Sequence, residues 1–161
     1  PYELGAAYGD YFSYQDTMFP VWQRSDELPA KSRVYALYLD GLPKAYALDR
    51  LVEEQVLNDT VGETSIVLVA QRGTVEVEGL NQRAGRVAYD SGGEVRVFDR
   101  GVHSFSAGSH PGILLDEQGN TWQVTEDNLF GPGGETADRV AGHLAYWFGW
   151  FAFFPNTLVF K

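Results

Sequence analysis

Apolar and polar positions along this chain follow short periods that change several times, and the changes mark out the elements. Arg33 to Leu39 and Lys44 to Leu48 are runs of β-formers around Asp40-Gly41, a strong hairpin signal. Asp49 is then placed to cap a short helix through Glu54, with acidic residues in the first turns where the helix dipole favours them. Val56-Leu57-Asn58-Asp59-Thr60-Val61-Gly62 reads as a turn-rich loop. It feeds Ser65 to Ala70, whose Ile66-Val67-Leu68-Val69 centre is apolar at consecutive positions, the mark of a strand buried on both faces. Hairpins follow with turn signals about every ten residues. Thr74 to Glu78 alternates, Arg86 to Tyr89 and Glu94 to Phe98 flank Ser91-Gly92-Gly93, and Ile113 to Leu115 and Thr121 to Val124 flank Asp116 to Asn120.

The densest apolar pattern comes last. His143-Leu144-Ala145-Tyr146-Trp147-Phe148-Gly149-Trp150-Phe151-Ala152-Phe153-Phe154-Pro155 holds seven aromatic rings, and rings of that size must organise either the core or a contact surface. A helix is expected there, near 143–154, set off by Gly131-Pro132-Gly133-Gly134 before it and stopped by Pro155 and Asn156, with Thr157 to Phe160 returning as a final strand. Residues 1–30 are rich in aromatics (Tyr2, Tyr8, Tyr11, Phe12, Tyr14, Phe19, Trp22) without a sustained period, and Pro20 and Pro29 interrupt them. They read as an irregular arm whose rings lie on the body formed by 31–161. No fixed repeat or long linker divides the chain, so a single domain over 1–161 is expected. The predicted fold is mainly β (α+β): an antiparallel sandwich or barrel-like body with one or two short helices, the C-terminal one aromatic-rich.

Composition narrows the partners. The 161 residues suit one ordinary domain. Twelve basic against 22 acidic side chains give a formal charge of -10, which repels nucleic-acid phosphates and anionic lipid surfaces. Nucleic acid is therefore not an expected partner. The chain has no cysteine, which excludes disulfides, thiolate metal sites and a cysteine nucleophile, and tilts slightly towards export. Leu144 to Phe154 is too short to span a bilayer core, which takes about 20 helical residues. Pro1 is not an initiator, so the chain is expected to be a processed or excised piece from which a signal or anchor has room to have been removed.

Reactive groups are sparse. His103 and His110 bracket a predicted loop, with Asp99 upstream and Asp116 downstream, a set from which two imidazoles and a carboxylate could hold a metal. Their spacing matches no recognised ligand pattern, and the plainer reading is exposed or capping loop histidines. His143, expected at the start of the aromatic helix, is read as a hydrogen-bonded residue there or as facing a ligand. Asp116, Glu117, Glu126 and Asp127 around Trp122 suggest sugar hydrolysis, yet nothing in the sequence sets the carboxylate separation this requires. Ser104, Ser106 and Ser109 lack a Gly-x-Ser-x-Gly frame. Gly131-Pro132-Gly133-Gly134 lacks the Lys-Ser/Thr ending of a phosphate loop and reads as a turn. Asn58-Asp59-Thr60 fits a glycosylation acceptor or a loop whose side chains satisfy nearby backbone donors.

Leu28-Pro29-Ala30-Lys31-Ser32-Arg33-Val34, Lys44-Ala45-Tyr46-Ala47-Leu48, Leu57-Asn58-Asp59-Thr60-Val61-Gly62, Thr121-Trp122-Gln123 and the closing His143 to Pro155 block, taken in that order, resemble domain-of-unknown-function family 3179 (DUF3179) over nearly the whole chain. The resemblance implies a bacterial or archaeal domain that usually follows a signal sequence, hence an extracytoplasmic setting, and it supplies no activity. It also implies a Cys-x-x-Cys element directly after the buried strand in many members, where this chain has Val69-Ala70-Gln71-Arg72-Gly73-Thr74.

Many rings and few reactive groups lead to the expectation of a non-catalytic, extracytoplasmic binding or structural module for a small molecule, a glycan or a neighbouring protein. Asn58, Asp59, Trp122, His143 and Trp147 are the expected ligand-binding residues, with no metal or cofactor. The alternative is a metal-dependent enzyme or metalloprotein built on His103, His110 and Asp116.

Overall fold

The computed structural model describes residues 25–78, 86–90 and 93–161, with 74–78 and 86–90 described by backbone pairing only. Most of the aromatic arm expected over 1–30 thus lies outside the described residues, as does the Ser91-Gly92 turn. Within 25–30, Leu28 packs against one of the cores described below.

The expected hairpin forms from β1 (Arg33–Leu39) and β2 (Leu42–Ala47), turning on Asp40 and Gly41, both at positive φ. Helix α1 (Leu48–Glu54) follows directly and buries Leu48 and Leu51. Asp49 does not cap it. The N-cap position is Ala47, without a side-chain bond, and Asp49 lies inside the first turn, where its charge still faces the helix dipole.

The segment read as a loop is a strand, β3 (Val56–Val61), paired antiparallel with β4 (Thr64–Gln71), which pairs in turn with β7 (Glu94–Asp99). β5 (Thr74–Glu78) and β6 (Arg86–Asp90) form a separate hairpin. A meander follows: β8 (Ser106–Ala107), β9 (Ile113–Leu115), β10 (Thr121–Val124), β11 (Asn128–Phe130) and β12 (Thr136–Asp138) make a sheet in the order β12-β11-β10-β9-β8. The glycine-rich Pro132–Gly134 is a 3-10 turn between its last two strands.

The aromatic block is only half helical. His143–Tyr146 is a strand, β13, pairing antiparallel with β1, and helix α2 is confined to Trp147–Phe153. β14 (Leu158–Phe160) returns parallel to β2, closing a sheet ordered β13-β1-β2-β14. The strand forms because β1 would otherwise present an unpaired edge beside it. The first N–H groups of α2, which have no partner within the helix, donate instead to backbone carbonyls before β1: Trp147 N to Ser32 O at 2.8 Å and Phe148 N to Ala30 O at 2.9 Å.

These elements stack in layers around β4, as its unbroken apolar run predicts. Ile66, Leu68 and Ala70 face a core shared with Tyr35, Leu37 and Tyr46 of the first sheet and with α1. Val67 and Val69 face the opposite core with Phe98, Phe105, Leu114, Trp122 and Leu129 of the meander side. A third core, made of Val34, Ala36, Ala45, Trp147 and Trp150, joins the far side of the first sheet to α2. Of the seven rings in the block, the two tryptophans are buried, whereas Phe153 is 83% exposed. Among the described residues no helix is long and apolar enough to cross a membrane.

Candidate functional site

The five residues expected to bind ligand fall in three places. Asn58 clamps the β8 approach: its Nδ2 donates to Phe105 O at 2.7 Å and its Oδ1 accepts from Phe105 N at 2.8 Å. Trp122 belongs to the same neighbourhood, 2% exposed, edge-on to Phe105 at 5.2 Å and against His103 at 5.1 Å. Its Nε1 donates to Asp116 Oδ2 at 3.1 Å.

Asp59 looks the other way across the sheets. One oxygen accepts from Lys44 Nζ at 2.6 Å and from Tyr46 OH at 2.7 Å, while the other accepts from Thr60 N. Burial pushes the Asp59 carboxyl up, but these donors and the Lys44 charge outweigh it and hold it below the ordinary carboxylate range. Burial, the bond to Asp59 and the charge of Asp59 together push Tyr46 far above its usual value.

His143 and Trp147 occupy the third place. His143 is exposed on β13, edge-on to Trp150 at 5.5 Å, and Trp147 is 1% exposed in the core beneath α2. Trp147 Nε1 has no hydrogen-bond partner among the described residues.

The residues of the alternative metal site do not converge either. His103 Nδ1 lies 3.3 Å from Glu117 Oε1, beside the Ser104 N–H that the same carboxylate accepts, and these bonds, the backbone ones first, lower the Glu117 carboxyl. Asp116 is committed to its own turn. Burial raises its carboxyl, but the side chains of Asn120 and Trp122 and the N–H groups of Asn120 and Gln118 outweigh this and hold it at about 2. Glu126 is paired with Arg96 and Arg139. Among the described residues no group of three or more histidine, aspartate or glutamate side chains is placed to hold a metal ion.

A cavity of about 500 Å³ opens elsewhere, at the end of β4. Three segments wall it: Val52, Gln55 and Val56 from the α1–β3 junction, Val69 to Arg72 from β4, and Ala107 to Leu114 (without Gly112) from the β8–β9 connection. Backbone bonds tie these walls. Ala70 N donates to Gln55 O at 2.8 Å, joining the first two, while Gly108 N to Ile113 O and Ile113 N to His110 O, both 2.9 Å, shape the third. Gly108 is required there, because a Cβ would come within 2.6 Å of the Ile113 carbonyl oxygen.

Gln55 is strained. It stands at φ 64° and ψ -45°, a conformation that non-glycine residues rarely adopt and that costs about 1–3 kcal/mol. Such strain collects at binding and catalytic sites, where the surroundings enforce it. The lining also carries Arg72, Ser109 and His110. His110 Nδ1 accepts from Gly112 N at 3.3 Å, which leaves Nε2 as the protonated nitrogen of the neutral ring. The volume lies within the usual range for small-ligand sites, about 300–1,000 Å³, and the walls are about half apolar and half polar.

Sequence reasoning placed His110 in the alternative metal site and set Ser109 aside for want of a nucleophile frame, and it missed their meeting with Gln55 and Arg72. The available signal was the departure after the buried strand, whose Gln71 and Arg72 belong to the cavity's wall.

No curated protein and no solved structure shows significant similarity to this chain. The profile of the family described as "Protein of unknown function (DUF3179)" matches residues 2–157, nearly the whole length. The layered, cysteine-free β domain with its cavity beside the buried strand therefore belongs to the DUF3179 family.

Proposed function

We propose that this domain is an extracytoplasmic, non-catalytic binding module that takes a small organic ligand into the cavity at the end of β4. The observation that carries the reading is the cavity itself, of ligand size, with a strained Gln55 and the polar groups of Arg72, Ser109 and His110 on a half-apolar wall. Asn58, Asp59, Trp122 and Trp147 already spend their polar atoms or their surface on holding strands and cores together. Their role in binding is to keep the walls in place, and His143 stands apart as an exposed surface group. The family resemblance supports the extracytoplasmic setting.

The test is a thermal-shift screen of small metabolites on the wild type and on Ala107→Trp, which places a large side chain at the cavity wall. A ligand present at 100 times its Kd stabilises by about 2.7 kcal/mol, a readily measured rise in Tm. Compounds that raise Tm of the wild type and not of a folded Ala107→Trp support the reading. Equal shifts in both proteins, or no shift with any compound, reject it.

A further inference from the structure

Resting on that reading, the geometry points to a ligand of one class: a small organic acid whose carboxylate pairs with Arg72 while an apolar body lies against Val52, Val56 and Ile113. In a chain with 22 acidic and 12 basic side chains, a randomly chosen wall would be expected to include carboxylates. The lining of this cavity includes none, and Arg72 is its one permanently charged side chain.

Among the described residues, the carboxylates adjoining Gln71 and Gln55 of the lining are each paired with an arginine. Glu94, which Gln71 binds, pairs with Arg96 at 2.7 Å. Glu53 and Glu54, just before Gln55 on α1, are both held by Arg50. Arg72 itself forms no ion pair among the described residues. An arginine left uncompensated beside a concave, half-apolar wall suits a carboxylate, whose two oxygens match the guanidinium fork. The other polar groups of the lining can serve the same carboxylate: the Ser109 hydroxyl, the Gln55 amide and the His110 Nε2–H can each donate.

A titration followed by amide NMR tests this with matched probes: straight-chain acids from butanoate to octanoate and phenylacetate, each beside its uncharged primary amide. The proteins are the wild type, Arg72→Gln, and Lys161→Gln, which removes the same charge from the surface pair with Glu27, outside the cavity lining. The expected result is that acids shift the backbone amide signals of Gln71, Arg72, Ala107 to His110 and Gly112, and that each amide probe binds at least about ten-fold more weakly than its acid. Arg72→Gln should abolish that preference, whereas Lys161→Gln should leave it within about two-fold. The acid–amide comparison in the wild type stands on its own if Arg72→Gln does not fold. Acids and amides binding equally at these signals would overturn the carboxylate inference and leave the cavity reading standing. Acids acting only at other signals would overturn the inference as well, and silence from every probe would overturn both.

Discussion

A Cβ built on Gly62 would lie 2.5 Å from the Cβ of Asp40, so the β1–β2 turn and the β3–β4 turn are locked against each other where Gly62 offers no side chain. Gly62 is at φ +63°, and the Asp40 carboxylate accepts from Glu63 N and Thr64 Oγ1, both at 2.9 Å, completing the lock. Gly62→Ala suffers both the left-handed backbone and the collision, and is expected to lose about 1–3 kcal/mol or more. Urea denaturation measures this. A loss below 0.5 kcal/mol, a threshold set by ordinary surface substitutions of about that size, would mean the two turns separate freely.

Asp116 predicts an acid limb. Its carboxyl is held at about 2 when folded, against an ordinary 3.8, so the unfolded chain binds more protons between those values and stability rises with pH across them. The contribution is complete above about pH 4 and disappears as pH falls through about 2. In Asp116→Asn the Tm deficit relative to wild type should be full at pH 7 and shrink between pH 4 and pH 2. A deficit that does not change with pH would show that the charge of Asp116 is irrelevant to the turn.

Trp122 and His143, both among the residues expected from the sequence to bind ligand, should behave oppositely. Trp122→Ala empties the core between β4 and the meander and is expected to cost about 3–5 kcal/mol. His143→Ala loses an exposed ring on Trp150 and should cost under about 1 kcal/mol. Thermal melts of the two variants decide it, and similar losses would contradict the burial difference.

Tyr46→Phe removes one of the donors to Asp59 and should destabilise by about 1–2 kcal/mol. It should also raise the Asp59 carboxyl towards its ordinary range, because a bond that favours the ionised form is gone. Carboxyl-detected NMR titration reads the change directly, and an unmoved Asp59 would leave Lys44 and the Thr60 N–H as its effective partners.

The frame of the fold was legible wherever local pattern and tertiary demand agree. Ile66 to Ala70 advertised a strand buried on two sides, and Asp40-Gly41 advertised its hairpin. Two elements hid for physical reasons. Asn58, Asp59 and Thr60 look like turn residues, yet they lie on an edge strand whose polar side chains serve Phe105 and the Lys44–Tyr46 pair across space. The run from His143 onward is apolar at every period, so only the need of β1 for a neighbour decides that its first four residues extend before the helix begins. The cavity was illegible because its walls come from three segments, around 52–56, 69–72 and 107–114, and no one of them carries a binding motif.

Since one strand, β4, floors one hydrophobic interior with Ile66, Leu68 and Ala70 and roofs the next with Val67 and Val69, neither compartment can melt while the other stays solid. Heat should therefore take both in one calorimetric peak. A ligand wedged at the strand's outer end would delay that single event for the entire stack, reaching amide protons far from its own contacts.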